Sequence, residues 1–353
     1  MVTRYRTIVV GTDGSETARI AEHAGAALAR AEDARLILAS AFAASPDRAE
    51  RILEESLRAI QDLWPKVEVR AARGEASEAL VGLAREEGAD LLLVGNKGMT
   101  GRAAFLLGSV PDRISHNAPC DLLIVRTSSG DAIGQRRGTY RKVLIATDAS
   151  QTSLRAVRRG YGLAERVGAT PVLFYAGHPR TADIVFGEVA RAFLPAGMLQ
   201  TASANGDPAE VICRTAQVDG YDLIVIGNKG MLGGRFHIGN VPNRVSHQAS
   251  TDLLIVRTTS ASIADLENGD GAVVRVEEDA VAAYRDDGGT VHMLSPRCSH
   301  MGCTVDWNGD DRTWDCPCHG SRYDALGEVI RGPATRGLAK LENGAAVDED
   351  ADA

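Results

Sequence analysis

No apolar run in this 353-residue chain approaches the roughly 18 residues a helix needs to cross a bilayer, so no membrane insertion is expected. A basic excess is also missing. The formal net charge of -8 offers no broad positive face to a nucleic acid or an anionic membrane. Cysteine is scarce, and four of the six fall between Cys298 and Cys318, which excludes a secreted disulfide scaffold. Cys120 and Cys213 stand alone in segments that read as packed strand or helix, so they are expected to be small buried hydrophobes. The opening MVTRYRTIVVGTDGS has too short an apolar core for a secretory signal; it reads as a first strand and turn, and the expected location is cytoplasmic. Neither a nucleophile–base pair nor a Walker-type lysine followed by Ser or Thr is evident, so nothing points to a dedicated ATPase.

What is present is a repeat. IVVGTDGS (Ile8 to Ser15) returns as VLIATDAS (Val143 to Ser150), and LLLVGNKGM (Leu91 to Met99) returns as LIVIGNKGM (Leu223 to Met231). VPDRISHNAPCDLLIVRT (Val110 to Thr127) returns as VPNRVSHQASTDLLIVRT (Val241 to Thr258). Three matches in one order, each about 130 residues apart, mean a duplicated domain. In the first copy Ile8 to Val10, Leu36 to Leu38, Leu91 to Val94 and Leu122 to Val125 are continuous apolar runs, which suit parallel strands buried on both faces. Ala18, Ala21, Gly25 and Leu28 recur at helical spacing behind the N-cap Ser15, as do Leu154, Val157, Tyr161 and Ala164 behind Ser150. Asp207-Pro208 opens a further helix with Pro at its first position.

The expected fold class is therefore two α/β doubly wound parallel-sheet domains, followed by a small all-β domain. The texture changes near Ile263 to short alternating segments with Gly and Asp turns. The expected boundaries are 1–128, a linker at 129–139 rich in Gly and Arg, 140–259, 260–346, and a disordered acidic tail at 347–353.

The strand Leu91 to Val94 runs into a loop with the pattern G-x2-G-x9-G-S, made by Gly95, Gly98, Gly108 and Ser109. Glycines after a parallel strand let the backbone approach a phosphate, and Ser109 would begin a helix whose free N–H groups attract anions. Asp13 belongs to the same carboxyl edge of the sheet, where ligands bind in open α/β folds. On these motifs both copies resemble universal stress protein domains. That resemblance implies ATP or a related adenine nucleotide, with Gly95, Gly98, Gly108 and Ser109 around triphosphate and ribose and Asp13 near the adenosine. The second copy keeps Asp148, Gly227 and Gly230, but only eight residues precede Gly239 and Asn240 replaces the hydroxyl residue. Nucleotide binding and a purely structural role stay equally open for it. Lys97 and Lys229 read as solvated loop lysines, and His116 and His247 as structural groups beside a helix end.

Two boxes remain, CSHMGC from Cys298 and CPCHGS from Cys316. Cys298 and Cys316 with His300 and His319 offer two thiolates and two imidazoles, the donor set of a Rieske [2Fe–2S] centre. Zinc accepts the same donors, but its fingers pair C-x2-4-C with H-x3-5-H, whereas here each box mixes Cys and His. The C-terminal segment resembles a Rieske domain. That resemblance implies a disulfide between Cys303 and Cys318, hydroxyls of Ser321 and Tyr323 bonded to sulfur, and Gly332-Pro333 as a covering loop. The expected protein is a stress-response protein that binds adenine nucleotide and exchanges single electrons with a protein donor and acceptor not named by the sequence. A ferredoxin-like component of an oxidoreductase system, with the tandem domains as docking platform, is the alternative. Tandem copies also suggest an intrachain pseudo-dimer.

Overall fold

The computed structural model of the chain describes residues 4–96, 107–126, 140–193, 200–228, 240–257, 263, 266, 268–276, 279–302, 305–309, 311–316, 320–342 and 345–346. They fall into two compact units, divided between Arg257 and Thr258.

In the first unit the repeat folds twice over. The first half runs β1 (Thr7–Gly11), α1 (Glu16–Glu32), β2 (Arg35–Phe42), α2 (Asp47–Ile60), β3 (Val67–Arg73), α3 (Ala76–Glu86), β4 (Leu91–Gly95), α4 (Ser109–Asn117) and β5 (Asp121–Val125). The second runs β6 (Lys142–Ala146), α5 (Gln151–Val167), β7 (Thr170–Ala176), α6 (Pro179–Phe193), β8 (Gln200–Ala204), α7 (Pro208–Val218), β9 (Leu223–Gly227), α8 (Asn240–Gln248) and β10 (Asp252–Val256). The caps are those the sequence signals. Ser15 accepts from the Ala18 N–H at 3.2 Å and Ser150 from that of Ser153 at 3.4 Å. Asp207 caps α7 with Pro208 at its first position.

The ten strands form one sheet in the order β3-β2-β1-β4-β5-β10-β9-β6-β7-β8. Within each half every pairing is parallel, whereas β5 and β10 meet antiparallel, Leu122 opposite Ile255 and Ile124 opposite Leu253. Side chains alternate across the sheet. Ile8, Val10, Leu123 and Val125 point to one core with α1, α2, α5 and α6. Val9, Leu122 and Ile124 point to the other, with α3, α4, α7 and α8. Both cores run unbroken through the two halves.

The seam is locked by reciprocal polar contacts. The Arg126 N–H donates to Asp252 at 2.7 Å, and the Arg257 N–H donates to Asp121 at 2.9 Å. The Arg257 guanidinium reaches the carbonyls of Ser115 and His116 at 2.9 and 3.1 Å, and that of Arg126 reaches the Ser246 carbonyl. Tyr5 and Tyr140 donate to Asp121 and Asp252 at 2.9 and 3.1 Å. Burial pulls the Arg126 guanidinium down to about 10, as expected where few counter-charges replace water. Two contacts break the symmetry: Arg159 pairs with Asp121 at 3.0 Å and stacks on Tyr5, and Arg166 pairs with the fully buried Glu32 at 2.7 Å.

The second unit is all-β. Its sheets are β11 (Gly271–Val276), β12 (Asp279–Arg285) and β13 (Val291–Leu294); β14 (Asp306–Asn308), β15 (Thr313–Asp315), β16 (Arg322–Asp324) and β17 (Val329–Arg331); and the short pair β18 (Leu341–Glu342) and β19 (Ala345–Ala346). All pair antiparallel. Its core sets Trp314 and Tyr323, both fully buried, beside Leu294, Val305 and Leu338. The Trp314 ring packs on Trp307 at 4.9 Å, and Trp307 packs on Tyr284 at 5.1 Å.

Replacing Asp121 by Ala leaves Arg159 without its buried counter-charge and the Arg257 N–H without an acceptor. We expect the loss to be about 3–5 kcal/mol in unfolding free energy, read from urea titration followed by circular dichroism. A loss below about 1 kcal/mol would mean that the seam does not depend on this carboxylate.

Candidate nucleotide edges and metal centre

Three elements converge at the carboxyl end of the first parallel sheet. Asp13 follows β1, half-buried, and its Oδ1 accepts from the Ser15 N–H at 3.0 Å. Gly14 between them has φ +77°, which glycine adopts without strain. Gly95 ends the neighbouring strand β4, and a Cβ there would stand 3.1 Å from the Thr17 carbonyl of α1. Gly108 precedes α4 and is tied to β4 by its N–H donating to the Asn96 carbonyl at 2.8 Å. Ser109 begins α4 and is exposed. Asp13, Gly95, Gly108 and Ser109 thus share one edge at two adjacent strands and two helix starts. Gly98 and Lys97 lie outside the described residues.

The second half repeats this with altered chemistry. Asp148 accepts from the Ser150 N–H at 3.0 Å, and Gly227 ends β9 with the Thr152 carbonyl 2.9 Å from where a Cβ would be. Ala149, the counterpart of Gly14, takes φ +61°, where a Cβ costs about 1–2 kcal/mol. Asn240 opens α8 and is exposed. Gly230, Gly239 and Lys229 lie outside the described residues. Because β5 and β10 run antiparallel, the two carboxyl edges lie at opposite rims of the sheet.

One buried group at the first edge was not anticipated. Glu22 of α1 is inaccessible to solvent and accepts from the hydroxyls of Thr12 and, at 2.8 Å, of Ser56. Thr12 in turn accepts from the Gly14 N–H at 3.2 Å, so this carboxyl braces the loop that carries Asp13 against α2. The second Glu22 oxygen has no partner, and burial raises the carboxyl above its ordinary range. Val157 stands at the matching place in α5, so the brace is absent from the second copy.

His247 contacts Asp112 of the opposite half at 3.2 Å, and the His116 carbonyl accepts from Arg257; both lie at the seam. Burial raises the thiols of Cys120 and Cys213, the latter to about 11.

In the second unit the turn after β13 carries Cys298 and His300, and the turn after β15 carries Cys316. Both cysteines are buried and unoxidised, at 2% and 3% exposure, and His300 is exposed. The Tyr323 hydroxyl donates to Cys298 Sγ at 3.1 Å and accepts from the Ser299 N–H at 3.2 Å. Burial works to raise the Cys298 thiol, yet hydrogen bonds from Tyr323, the His300 N–H, Cys316 and Ser321 hold it below the ordinary value. Ser321, fully buried, accepts from the Ala334 N–H at 3.0 Å, which leaves its own proton free to point at sulfur. Ala334 follows the cis Gly332-Pro333 bond, so the proline loop is fastened over the second ligand turn. His319, Cys303 and Cys318 lie outside the described residues. Two thiols in a low-dielectric recess, supplied with hydroxyl donors, fit an anionic iron–sulfur group.

Comparison with known proteins places both units. The universal stress protein family matches residues 4–126 and 187–257, more than half of the chain, and the Rieske [2Fe-2S] domain matches residues 257–342. A universal stress protein of Mycobacterium tuberculosis is 40% identical over 144 residues, covering 35% of this chain and 98% of the relative. A Rieske 2Fe-2S iron-sulfur protein of Bacillus subtilis is 42% identical over 78 residues, 22% of this chain and 15% of the relative. The cytochrome b6-f complex iron-sulfur subunit of a Synechococcus strain is 43% identical over 82 residues, 23% of this chain and 42% of the relative. The chain thus spans well under half of either Rieske relative. A universal stress protein structure from Archaeoglobus fulgidus superposes at a TM-score of 0.57 with 17% identity, covering 71% of this chain and 98% of that one. At that identity the likeness is one of fold.

Glu22 supplies a pH test. Its folded-state carboxyl lies above the unfolded value, so the unfolded chain releases this proton first and stability falls as pH rises through that window. As pH rises above the ordinary glutamate value of about 4.3, the wild type should lose stability relative to Glu22→Gln, measured by paired urea titrations. Parallel pH profiles would refute the upward shift of the buried carboxyl.

Proposed function

Because this chain belongs to the universal stress protein family and carries a Rieske [2Fe-2S] domain, we propose that it binds ATP through its first α/β half and exchanges single electrons through its C-terminal unit. Asp13, Gly95, Gly98, Gly108 and Ser109 would hold the nucleotide, with Asp13 toward the adenosine and the start of α4 toward phosphate. What supports this is the convergence of four of them on one carboxyl edge, braced from below by Glu22. In the second half Ala149 and Asn240 alter the corresponding edge at the opposite rim, and the reading assigns one nucleotide per chain. The two halves act as an intrachain pseudo-dimer, a reading supported by the β5–β10 pairing.

In the C-terminal unit Cys298 and Cys316 would hold one iron, and His300 and His319 the other. Such a centre supplies reversible one-electron transfer. The observation that carries this part is the Tyr323 hydroxyl on Cys298 Sγ. A donor to a ligand sulfur favours the more negative, reduced form, so Tyr323 and Ser321 hold the potential high. Cys303 and Cys318 would clamp the two ligand turns by a disulfide. The chain works as a nucleotide-binding electron carrier in the cytoplasm, in a stress response.

Three measurements test the proposal. Asp13→Ala should weaken ATP binding about tenfold or more by titration calorimetry, while Asp148→Ala leaves it near wild type. No ATP binding by the wild type would remove the nucleotide half. Anaerobically purified protein should show a rhombic paramagnetic resonance signal of low average g once reduced, and Tyr323→Phe should lower the midpoint potential. Bound zinc without inorganic sulfide would remove the redox half.

A further inference from the structure

Charge in the C-terminal unit is segregated. From residue 258 onward the chain has nineteen Asp and Glu against eight Lys and Arg. The end that carries the ligand turns nevertheless gathers exposed positive charge. Arg297 directly precedes Cys298, Arg331 ends β17 just before the Gly332-Pro333 loop, and Arg336 lies on that loop. The loop is fastened to both ligand turns, by Ser299 Oγ donating to the Arg336 carbonyl at 2.5 Å and by the Ala334 N–H on Ser321 Oγ at 3.0 Å.

All three arginines are exposed, and none of them forms an ion pair among the described residues. Three other basic side chains of the unit face carboxylates. Arg312 pairs with Asp287 at 2.9 Å, Arg322 with Asp311 and Asp315 at 2.8 Å, and His292 lies 2.9 Å from Asp286. Asp315 adjoins Cys316, so the carboxylate closest in sequence to a ligand is cancelled by Arg322. Glu328, whose Oε2 lies near Gly337, offsets part of the remaining charge. Met301, which follows His300 in the first Cys–His turn, is 68% exposed, a large apolar side chain beside these cations in the chain.

Exposed cations without ion pairs, beside an exposed apolar side chain, suit a transient docking site, where charge sets orientation and encounter rate more than final affinity. We propose that Arg297, Arg331 and Arg336, together with Met301, form the docking surface for an acidic electron-transfer protein. This rests on the Rieske reading of the same unit. The partner's carboxylates meet the three guanidinium groups and bring its metal to the exposed His300 edge. A cluster held by Cys298, Cys316, His300 and His319 would then give up one electron, and a copper partner, for example, would go from Cu(II) to Cu(I), with no bond made or broken. The net charge of -8 would by itself repel such a partner; the local rim reverses that repulsion at close range, within a Debye length of about 10 Å.

The test uses the full-length, cluster-loaded chain with two redox proteins as probes, an acidic plastocyanin and a basic mitochondrial cytochrome c. Binding is read by titration calorimetry at about 0.01 M and about 0.3 M salt, with stopped-flow oxidation as a second readout. Plastocyanin should bind at low salt and lose at least about tenfold in affinity at high salt. Arg297→Glu/Arg331→Glu/Arg336→Glu should lose at least about tenfold at low salt, while the three Arg→Lys changes keep most of the affinity. Tighter binding of cytochrome c, salt-independent affinity, or wild-type binding by the Glu variant would overturn the surface. So would a plastocyanin titration blocked by self-association of the chain in sedimentation. A colourless protein that still binds plastocyanin through these arginines supports the surface and refutes the cluster. A cluster-bearing protein that ignores plastocyanin refutes the surface alone.

Discussion

Two aspartates, each accepting the backbone N–H of an arginine from the opposite half, close the ten-stranded sheet at its middle. Strands β5 and β10 are buried on both faces, so either half alone would end in an apolar edge with unpaired backbone groups. Their antiparallel pairing removes both edges at once. It also lets the two cores continue through the sheet, and it sends the carboxyl rims of the two halves in opposite directions. The buried arginines that finish the seam are costly to desolvate, and carbonyls at the ends of α4 and α8 receive them.

Duplication made the two halves alike in backbone and left them free to differ in chemistry. Both keep Asp13 or Asp148 at the first turn and Gly95 or Gly227 where a strand end meets a helix. Only the first has glycine at the left-handed position, a hydroxyl (Ser109, where the second has Asn240) at the start of the helix after the glycine loop, and the buried Glu22 brace. Arg159 breaks the symmetry in the other direction, since it binds a carboxylate of the first half from the second. The small β unit works by a comparable device. A rigid aromatic core places Tyr323 so that its hydroxyl meets a sulfur, and a proline loop places Ser321.

Much of this was legible in the residues, for reasons that can be named. The strand and helix alternation was readable because strands buried on both faces are apolar without interruption and the helices carry Ser15, Ser150 and Asp207 as caps. The β texture after Ile263 was readable from its Gly and Asp turns. That Asp13, Gly95, Gly108 and Ser109 meet at one edge, and that Cys298 and Cys316 sit in turns of the β unit, could be anticipated because glycine loops and Cys–His boxes are short-range patterns. The seam was not. DLLIVRT occurs identically in both copies, yet nothing local says that its Asp and Arg answer each other across some 130 residues. Glu22 was equally hidden, since a glutamate on an amphipathic helix reads as solvated until Thr12 and Ser56 close over it.

What the chain determined unaided is everything set by neighbours in sequence: the duplication, the order of strands and helices, the caps, the glycine turns and the ligand boxes. Short-range sterics and hydrogen bonding decide these, and they need no partner from afar. Tertiary structure alone decided that the halves share a sheet, that Glu22 and the seam arginines are buried, and that Arg297, Arg331 and Arg336 have no ion pair among the described residues. Burial and charge pairing are relations between residues far apart in the chain. They take on their energies only when folding has removed the water between them.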